Sequence, residues 1–526
     1  MPTFGFLIDN RKCIGCHACT VACKSEHEVP IGVDRTWVKY IEKGTFPNTR
    51  RLFTVMRCNH CDWAPCVTIC PVTALYRRDD GVIDFNSDRC IGCKACLQAC
   101  PYDALYIDPV TDTAAKCNFC THRLEQNLEP SCVVVCPERA IVCGDLDDPN
   151  SEISRLTQRH PVQVRKPEKG TRPKLFYIDA DEASLVPSRT AADGQYVWSD
   201  GGVAGVESSS PQPNLITAMD TAGGSKTRPQ PTDSGNDHTL APARRAYDVR
   251  PRPELWGWAV VGYIWAKSIA AGSFLAVLAV RLMADLGSAS RLALPLGCLA
   301  LLFLIVTLVL LVADLKQPKR FLFVLLRPQW KSWLVRGAYI LVGYSIVLVL
   351  WIAASAADWS AAAEILFWPG VVLAVLAAVY TAFLLAQAKG RDLWQNALLS
   401  VHLLAHAVVA GGAVWLLTAL VVAPPSTFAA RMFMAITVVF SLLALLGELA
   451  TAPPTDDARL AIRMIVGRPM GMWFWAGGIG AGHIAPLVLL LTIDSLASGA
   501  AALLALFGMG VIERLWILAP QRVPLS

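Results

Sequence analysis

CIGCHACTVAC at residues 13–23 recurs as CIGCKACLQAC at residues 90–100. The first copy places Cys13, Cys16, Cys19 and Cys23, and the second Cys90, Cys93, Cys96 and Cys100. Between them, CNHCDWAPCVTIC supplies Cys58, Cys61, Cys66 and Cys70. Beyond them stand Cys117, Cys120, Cys132 and Cys136. Sixteen of the eighteen cysteines therefore fall into four quartets, the last three each followed by proline. The spacing C-x2-C-x2-C-x3-C is that of bacterial ferredoxins, and each cube of four irons takes four thiolates. Sixteen thiolates suit four [4Fe-4S] clusters, and four clusters in one small domain form an electron wire. Zinc would use paired C-x2-C motifs without a third cysteine two residues on. A disulfide framework needs an oxidising compartment, and MPTFGFLIDNRKC does not read as a signal peptide.

In a two-cluster ferredoxin the last cysteine of one run ligates the other cluster. On that topology Cys58, Cys61 and Cys66 join Cys100, and Cys90, Cys93 and Cys96 join Cys70. The outer runs pair likewise: Cys13, Cys16 and Cys19 with Cys136, and Cys117, Cys120 and Cys132 with Cys23. No quartet has lost a member, so a three-iron cluster is not expected. Cys143 and Cys298 are left over and read as packing residues.

The expected fold is an α+β ferredoxin-like double domain over residues 1–186, then a linker over 187–250, then an all-α eight-helix membrane bundle over 251–526. The linker reading rests on SSSPQPN and GGSKTRPQPTDSGND, rich in Ser, Gly, Pro and Asp. A flexible segment of about sixty residues has an end-to-end distance of about 45 Å. Past residue 255 the composition turns to Ala, Leu, Val and Trp. Eight apolar stretches approach the roughly 20 residues a bilayer requires: 256–280, 292–313, 333–355, 365–387, 397–422, 429–450, 471–493 and 497–518. The net charge of +5 gives no argument for nucleic acid.

With eight spans, both ends of the bundle lie on one side. That side carries Arg244, Arg245, Arg250, Arg252, Lys316, Lys319, Arg320, Arg327, Lys331, Arg336, Lys389, Arg391, Arg459, Arg463 and Arg468. The other has Arg281, Arg291 and Arg431. The basic excess marks the cytoplasmic face, and no twin-arginine sequence opens the chain. The expectation is a multi-pass protein of a bacterial inner membrane with its iron–sulfur domain in the cytoplasm.

CIGCHACTVACKSEHEVP, CNHCDWAPCVTICPVTAL, CIGCKACLQACPYDA and KCNFCTHRLEQNLEPSCVVVCPERAI resemble the four-cluster subunits of molybdopterin oxidoreductases. Those of dimethyl sulfoxide reductase, polysulfide reductase, formate dehydrogenase and sulfite dehydrogenase are of this type. WGWAVVGYIWAKSIAAGSF, ADLKQPKRF and SWLVRGAYIL resemble the NrfD-like, polysulfide-reductase-type membrane anchor. In those families the two are usually separate subunits; here they look fused. The resemblance implies a large molybdopterin catalytic subunit as partner and a quinone, menaquinone or ubiquinone, in the membrane. It also implies a wire that runs from the Cys13 cluster, facing the partner, to the Cys93 cluster, nearest the membrane. Sulfite or formate oxidation would suit a cytoplasmic placement. The rival readings are a periplasm-facing or hydrogenase-linked respiratory module of the same parts, and a non-catalytic scaffold anchor.

A quinone site needs an apolar slot, polar partners for two carbonyl oxygens and a proton path. Tyr263, Lys267, Asp314, Arg336, Tyr339, Tyr380, Gln387, Asn396, His402 and His406 lie toward the expected cluster side. Lys267, Tyr380, His402 and Asp314 are the candidates for chemistry, and Tyr263 and Tyr339 for binding. Lys267 stands eleven residues into its span, about 16 Å along the helix, where an ionisable group defaults to a functional reading. A snorkelling or neutralised lysine, a surface ion pair at Asp314 and plain aromatic packing at the tyrosines are the competing readings. Glu448 reads as a proton relay or an interface residue. His402 and His406, with His483, could suggest haem, but the resemblance implies none. No ladder of carboxylates crosses the spans, so proton pumping is not expected.

Overall fold

The computed structural model describes residues 2–190, 243–249, 254–423, 427–451, 453, 455–492 and 494–526. The chain forms two compact units. One comprises Met1–Val67, Ala74–Pro253 and Pro524–Ser526; the other comprises Thr68–Thr73 and Glu254–Val523.

The first unit is built from short strands: β1 (Phe4–Asp9), β2 (Thr36–Thr45), β3 (Asn48–Arg57), β4 (Leu75–Arg77), β5 (Ile83–Phe85), β6 (Leu105–Ile107), β7 (Ala114–Lys116), β8 (Ile141–Asp145), β9 (Val162–Gln163), β10 (Leu175–Ile178) and β11 (Ala243–Tyr247). One sheet has the order β8-β1-β10-β9, with β1 parallel to β10 and antiparallel to β8. The apolar run FGFLI explains the interior position of β1, since a strand covered on both faces reads as a continuous apolar stretch. Leu7 packs with Val142, Ile153 and Ile178. Ile153 lies on a helix, Glu152–Arg159, capped by the Ser151 side chain accepting from the Ser154 amide. Two hairpins, β4-β5 and β6-β7, follow the second and third cysteine quartets, as the small strands and turns of a ferredoxin module should.

A three-stranded sheet, β11-β2-β3, changes the expected linker boundary. Of residues 187–250, Pro187–Arg189 form a 3-10 turn and Ala243–Tyr247 form β11 against β2. Charge hides this strand in the sequence. Arg245 is buried because Asp248 pairs with it at 3.4 Å, and Asp248 in turn accepts from the Trp37 indole at 2.8 Å. The remainder of the expected linker, 191–242 and 250, lies outside the described residues.

The second unit carries eight helices long and apolar enough to span a bilayer: Trp258–Met283, Gly287–Ala313, Trp333–Ala356, Ser360–Gln387, Leu399–Val422, Thr427–Ala450, Trp473–Leu490 and Ser495–Arg522. All eight coincide with the expected stretches. Spans one and five form the centre: the most apolar windows of these two helices are 83% and 72% buried, against 28% for span two. They meet at Gly272 and Gly411, where a Cβ on Gly272 would lie 2.6 Å from the Gly411 nitrogen. Small residues are what allow such close backbone approach. Span seven departs from a plain α-helix. Trp473–Ile484 winds as a π-helix before Ala485–Leu490 returns to α. Gly477, Gly478, Gly480 and Gly482 fall within this wider turn, which is rare elsewhere and frequent at functional sites. In the same unit the Ser332 hydroxyl donates to the Ile69 carbonyl at 2.7 Å, and the Gln329 amide to the Pro71 carbonyl at 3.0 Å.

Two of the basic residues counted for orientation are structural. Arg245 is paired as described, and the buried Arg391 donates to the Pro520 and Val523 carbonyls at 2.9 Å.

Candidate cluster ligands and a buried polar group in the bundle

Each cysteine quartet opens with the same backbone device. The residue before the second cysteine has positive φ in all four: Gly15 at 73°, His60 at 43°, Gly92 at 69° and Phe119 at 66°. A left-handed step reverses the backbone, so that the flanking cysteines can address one centre. Glycine takes this conformation freely. At His60 and Phe119, side chains in the left-handed region cost about 1–2 kcal/mol, offset by stacking. Their rings meet edge to face at 5.3 Å, and Phe119 lies flat on Phe6 at 3.9 Å. In the first and third quartets a helix starts immediately afterwards, Ala18–Glu26 carrying Cys19 and Cys23, and Ala95–Ala99 carrying Cys96.

None of the eighteen cysteines is in a disulfide. Cys13, Cys16, Cys19 and Cys136 line one cavity with Gly15, Val38, Val55 and Ala140. Cys100 sits within electrostatic reach of Cys58, Cys61 and Cys66. Cys23 stands in the same relation to Cys117 and Cys132, and Cys120 to those two as well. These proximities accord with three of the crossed sets expected from ferredoxin topology, while Cys132 also reaches Cys19 and Cys58 reaches Cys117. Among the described residues no three His, Cys, Asp or Glu side chains converge closely enough to hold a single metal ion. A cube of four irons asks for a wider ring of thiolates than one ion does.

The donor set suits an electron-rich cluster. The Gly92 and Ala114 amides donate to Cys90 Sγ at 3.4 Å, and the Ala140 amide to Cys136 Sγ at 3.2 Å. Burial pushes the Cys100 and Cys120 thiols up to about 11 and Cys19 up to about 12. Thiols so placed hold their protons in neutral water and become ligands only when a metal displaces the proton. Cys16 alone among the sixteen is exposed, so this end of the set reaches the surface.

In the second unit, the fold gathers polar side chains that the sequence scatters over five spans. Lys267 is fully buried. Its Nζ donates to the Ala378 carbonyl at 2.9 Å and the Thr381 hydroxyl at 2.8 Å, and lies 4.8 Å from the centre of the Tyr380 ring. Tyr263, one turn earlier on span one, is buried within electrostatic range of Tyr380 and Asp314. Lys267, Tyr380, Tyr263 and Asp314 thus form one neighbourhood. His402 belongs to an adjoining one: its Nδ1 meets Glu448 Oε2 at 2.6 Å, and the Trp516 indole donates to Glu448 Oε1 at 2.9 Å. Tyr339 stands apart, 38% exposed, donating to the Leu325 carbonyl at 2.9 Å and packed on Trp330.

Glu513 was missed by the sequence reading and joins the two neighbourhoods. It is buried, meets His406 Nδ1 and the Ser268 hydroxyl at 3.4 Å each through Oε1, and lies within electrostatic range of Lys267. Its Oε2 is buried and has no hydrogen-bond partner among the described residues. The rings of His406 and His402 are 4.4 Å apart. His483 instead bonds the Ser441 hydroxyl at 3.2 Å and the Gly478 carbonyl at 2.9 Å. The signal for Glu513 was available: a carboxylate nine residues from the end of an apolar span is as anomalous as Lys267.

Two family descriptions match the chain. Residues 249–523 match Polysulphide reductase, NrfD, and residues 49–146 match the 4Fe-4S dicluster domain. A tetrathionate reductase subunit of Salmonella typhimurium is 44% identical over 188 residues, 35% of this chain and 75% of the relative. A polysulfide reductase polypeptide of Wolinella succinogenes is 43% identical over 180 residues, 33% of this chain and 93% of the relative. The arsenate respiratory reductase iron–sulfur subunit ArrB of a Shewanella strain is 36% identical over 224 residues, 33% of this chain and 95% of the relative. This protein belongs to the NrfD, polysulphide-reductase family, with an iron–sulfur electron-transfer domain fused ahead of its multi-pass membrane anchor.

Proposed function

We propose that this chain carries electrons between a quinone in the membrane and a large molybdopterin catalytic partner, through four [4Fe-4S] clusters held by the sixteen cysteines in the crossed sets. The observation that carries this reading is the pairing of two sites in one polypeptide: cysteine sets with amide donors aimed at sulfur, and a buried Lys267–Tyr380–Tyr263 neighbourhood in the bundle. The clusters supply one-electron steps. The protein's own part is to hold them in line, exclude water and handle the protons of the quinone reaction. Lys267 would face one quinone oxygen, and Glu513, His406, His402 and Glu448 would pass protons between that oxygen and the end of the bundle where span five begins and span six ends. By the family resemblance, the cluster of Cys90, Cys93, Cys96 and Cys70 would be the last of the four before the quinone.

The partner's chemistry has two readings. The names of the relatives favour a reductase fed by quinol. The basic residues on one side of the bundle favour a cytoplasmic domain of an inner-membrane protein, and with it oxidation of sulfite or formate. The catalytic subunit that copurifies with the intact complex decides between them. Within that complex, Cys93→Ser should stop quinone-coupled turnover while the partner's activity with an artificial dye survives. If both activities fall while the remaining iron is retained, the wire does not end at Cys93.

A further inference from the structure

Two buried cations occupy equivalent places in the second and fourth quartets: Arg57 precedes Cys58 in RCNHC, and Lys116 precedes Cys117 in KCNFC. Each is 1% exposed or less. Each acts on a thiol of the other run. Arg57 Nη1 donates to Cys132 Sγ at 3.2 Å, and its charge reaches Cys117, Cys19 and Cys23. Lys116, equally buried, lies within electrostatic reach of Cys58 and Cys66. Arg57 is fixed by the Thr36 hydroxyl at 3.2 Å and lies 4.4 Å from the centre of the Phe6 ring; Lys116 is fixed by the Cys117 carbonyl at 2.6 Å and the Ile83 carbonyl. Arg57 Nε is buried with no hydrogen-bond partner among the described residues, so the guanidinium has a donor to spare.

We propose that Arg57 and Lys116 form a crossed pair of redox-tuning cations, each contributed by one cysteine run and placed against the neighbouring run's cluster. The proposal rests on the cluster reading above. Reduction adds one negative charge to a cluster, and net charge and hydrogen bonds to sulfur are what set its potential. In a buried, low-dielectric setting a fixed cation stabilises the reduced form most. Arg57 therefore raises the potential of the Cys117–Cys120–Cys132–Cys23 cluster, and Lys116 that of the Cys58–Cys61–Cys66–Cys100 cluster. Cys58 and Cys117 are themselves within electrostatic reach of one another. Without the cations, the charge on each of these two clusters would oppose reduction of the other. The crossing makes each half of the domain supply the counter-charge for its neighbour, so that neither middle position becomes an uphill step.

The test is potentiometric electron paramagnetic resonance on the intact chain, with iron and sulfide measured on the same samples. Cys58→Ser and Cys117→Ser assign the two signals. Lys116→Met should lower the potential of the Cys58 cluster, and Arg57→Met that of the Cys117 cluster. Each should change the reduction equilibrium at least tenfold, about 59 mV for one electron, with iron retained. Lys116→Arg, which keeps the charge, should return most of the shift. Full iron with unmoved potentials, or a shift in the cluster adjacent in sequence instead of the crossed one, would overturn the proposal. Loss of iron from both neutral variants would make the pair structural supports and overturn it too. Unsubstituted protein lacking four clusters would instead sink the cluster reading beneath it.

Discussion

Arg57 and Lys267 are both cations sealed from water, yet they are held in opposite ways. Arg57 donates to Cys132 Sγ and lies over the Phe6 ring, so that a thiolate there would answer its charge. Lys267 has a carbonyl, a hydroxyl and the Tyr380 ring, with Glu513 in electrostatic range but not bonded to it. The first arrangement is closed and suits a resident group of fixed charge. A buried charge satisfied only by dipoles and a ring is less tightly compensated than one set among anions, and under the proposed function that is where a quinone oxygen would bind. The first unit reads as storage and conduction, the second as exchange.

The largest test of this contrast is metal content. Anaerobically purified protein should contain about sixteen iron and sixteen labile sulfide per chain, and chelation of the iron should unfold the cysteine loops while leaving the eight spans inserted. Iron near twelve or below would break the picture of a fully loaded first unit.

Lys267→Leu probes the other side. It keeps the bulk and removes the charge from the less compensated site. Normal insertion, four intact clusters and at least a tenfold loss in quinone-dependent turnover or inhibitor binding are expected, about 1.4 kcal/mol. Unchanged quinone kinetics in a normally assembled variant would make Lys267 structural, and the exchange site would then have to lie around Asp314 and Arg336.

The smallest effect concerns a surface pair of the first unit. Hydrogen bonds from Ser131 and His122, with Arg123 nearby, hold the Glu26 carboxyl down at about 2. A carboxyl lowered on folding stabilises the protein above its ordinary value near 4.5 and loses that contribution as pH falls toward 2. Glu26→Gln should therefore cost on the order of 1 kcal/mol at pH 7 after allowance for partial solvent exposure. Thermal melts should keep that gap down to about pH 4.5 and narrow it below. A gap that widens in acid would mean that the carboxylate is not the stabilising form.

The same contrast explains what the sequence disclosed. Cysteine quartets act within eleven to twenty residues, so their spacing exposes both the turn and the candidate ligands, and the expected crossing of Cys100, Cys23 and Cys136 comes from a general topology. The eight spans were legible because a bilayer imposes length and apolarity on each one separately. What escaped depends on distant partners. Glu513 means little until span eight packs against spans one and five. The strand Ala243–Tyr247 looks like charged linker until Asp248 neutralises Arg245. The interior place of β1 between β8 and β10 has no local signal beyond its apolar run.

That place of β1 sets a timetable. Phe4–Asp9 leaves the ribosome well before its parallel partner, Leu175–Ile178, which comes about 170 residues later. At roughly 5–20 residues per second, the strand waits about 8–34 s with FGFLI uncovered. The cavity lined by Cys13, Cys16 and Cys19 waits as well, since its fourth wall arrives only with Cys136. Iron delivered earlier would meet three ligands in place of four. The Cys13 run is thus made long before its site can be completed, and whatever tends the nascent polypeptide has to guard that run until Cys136 and Leu175–Ile178 have followed.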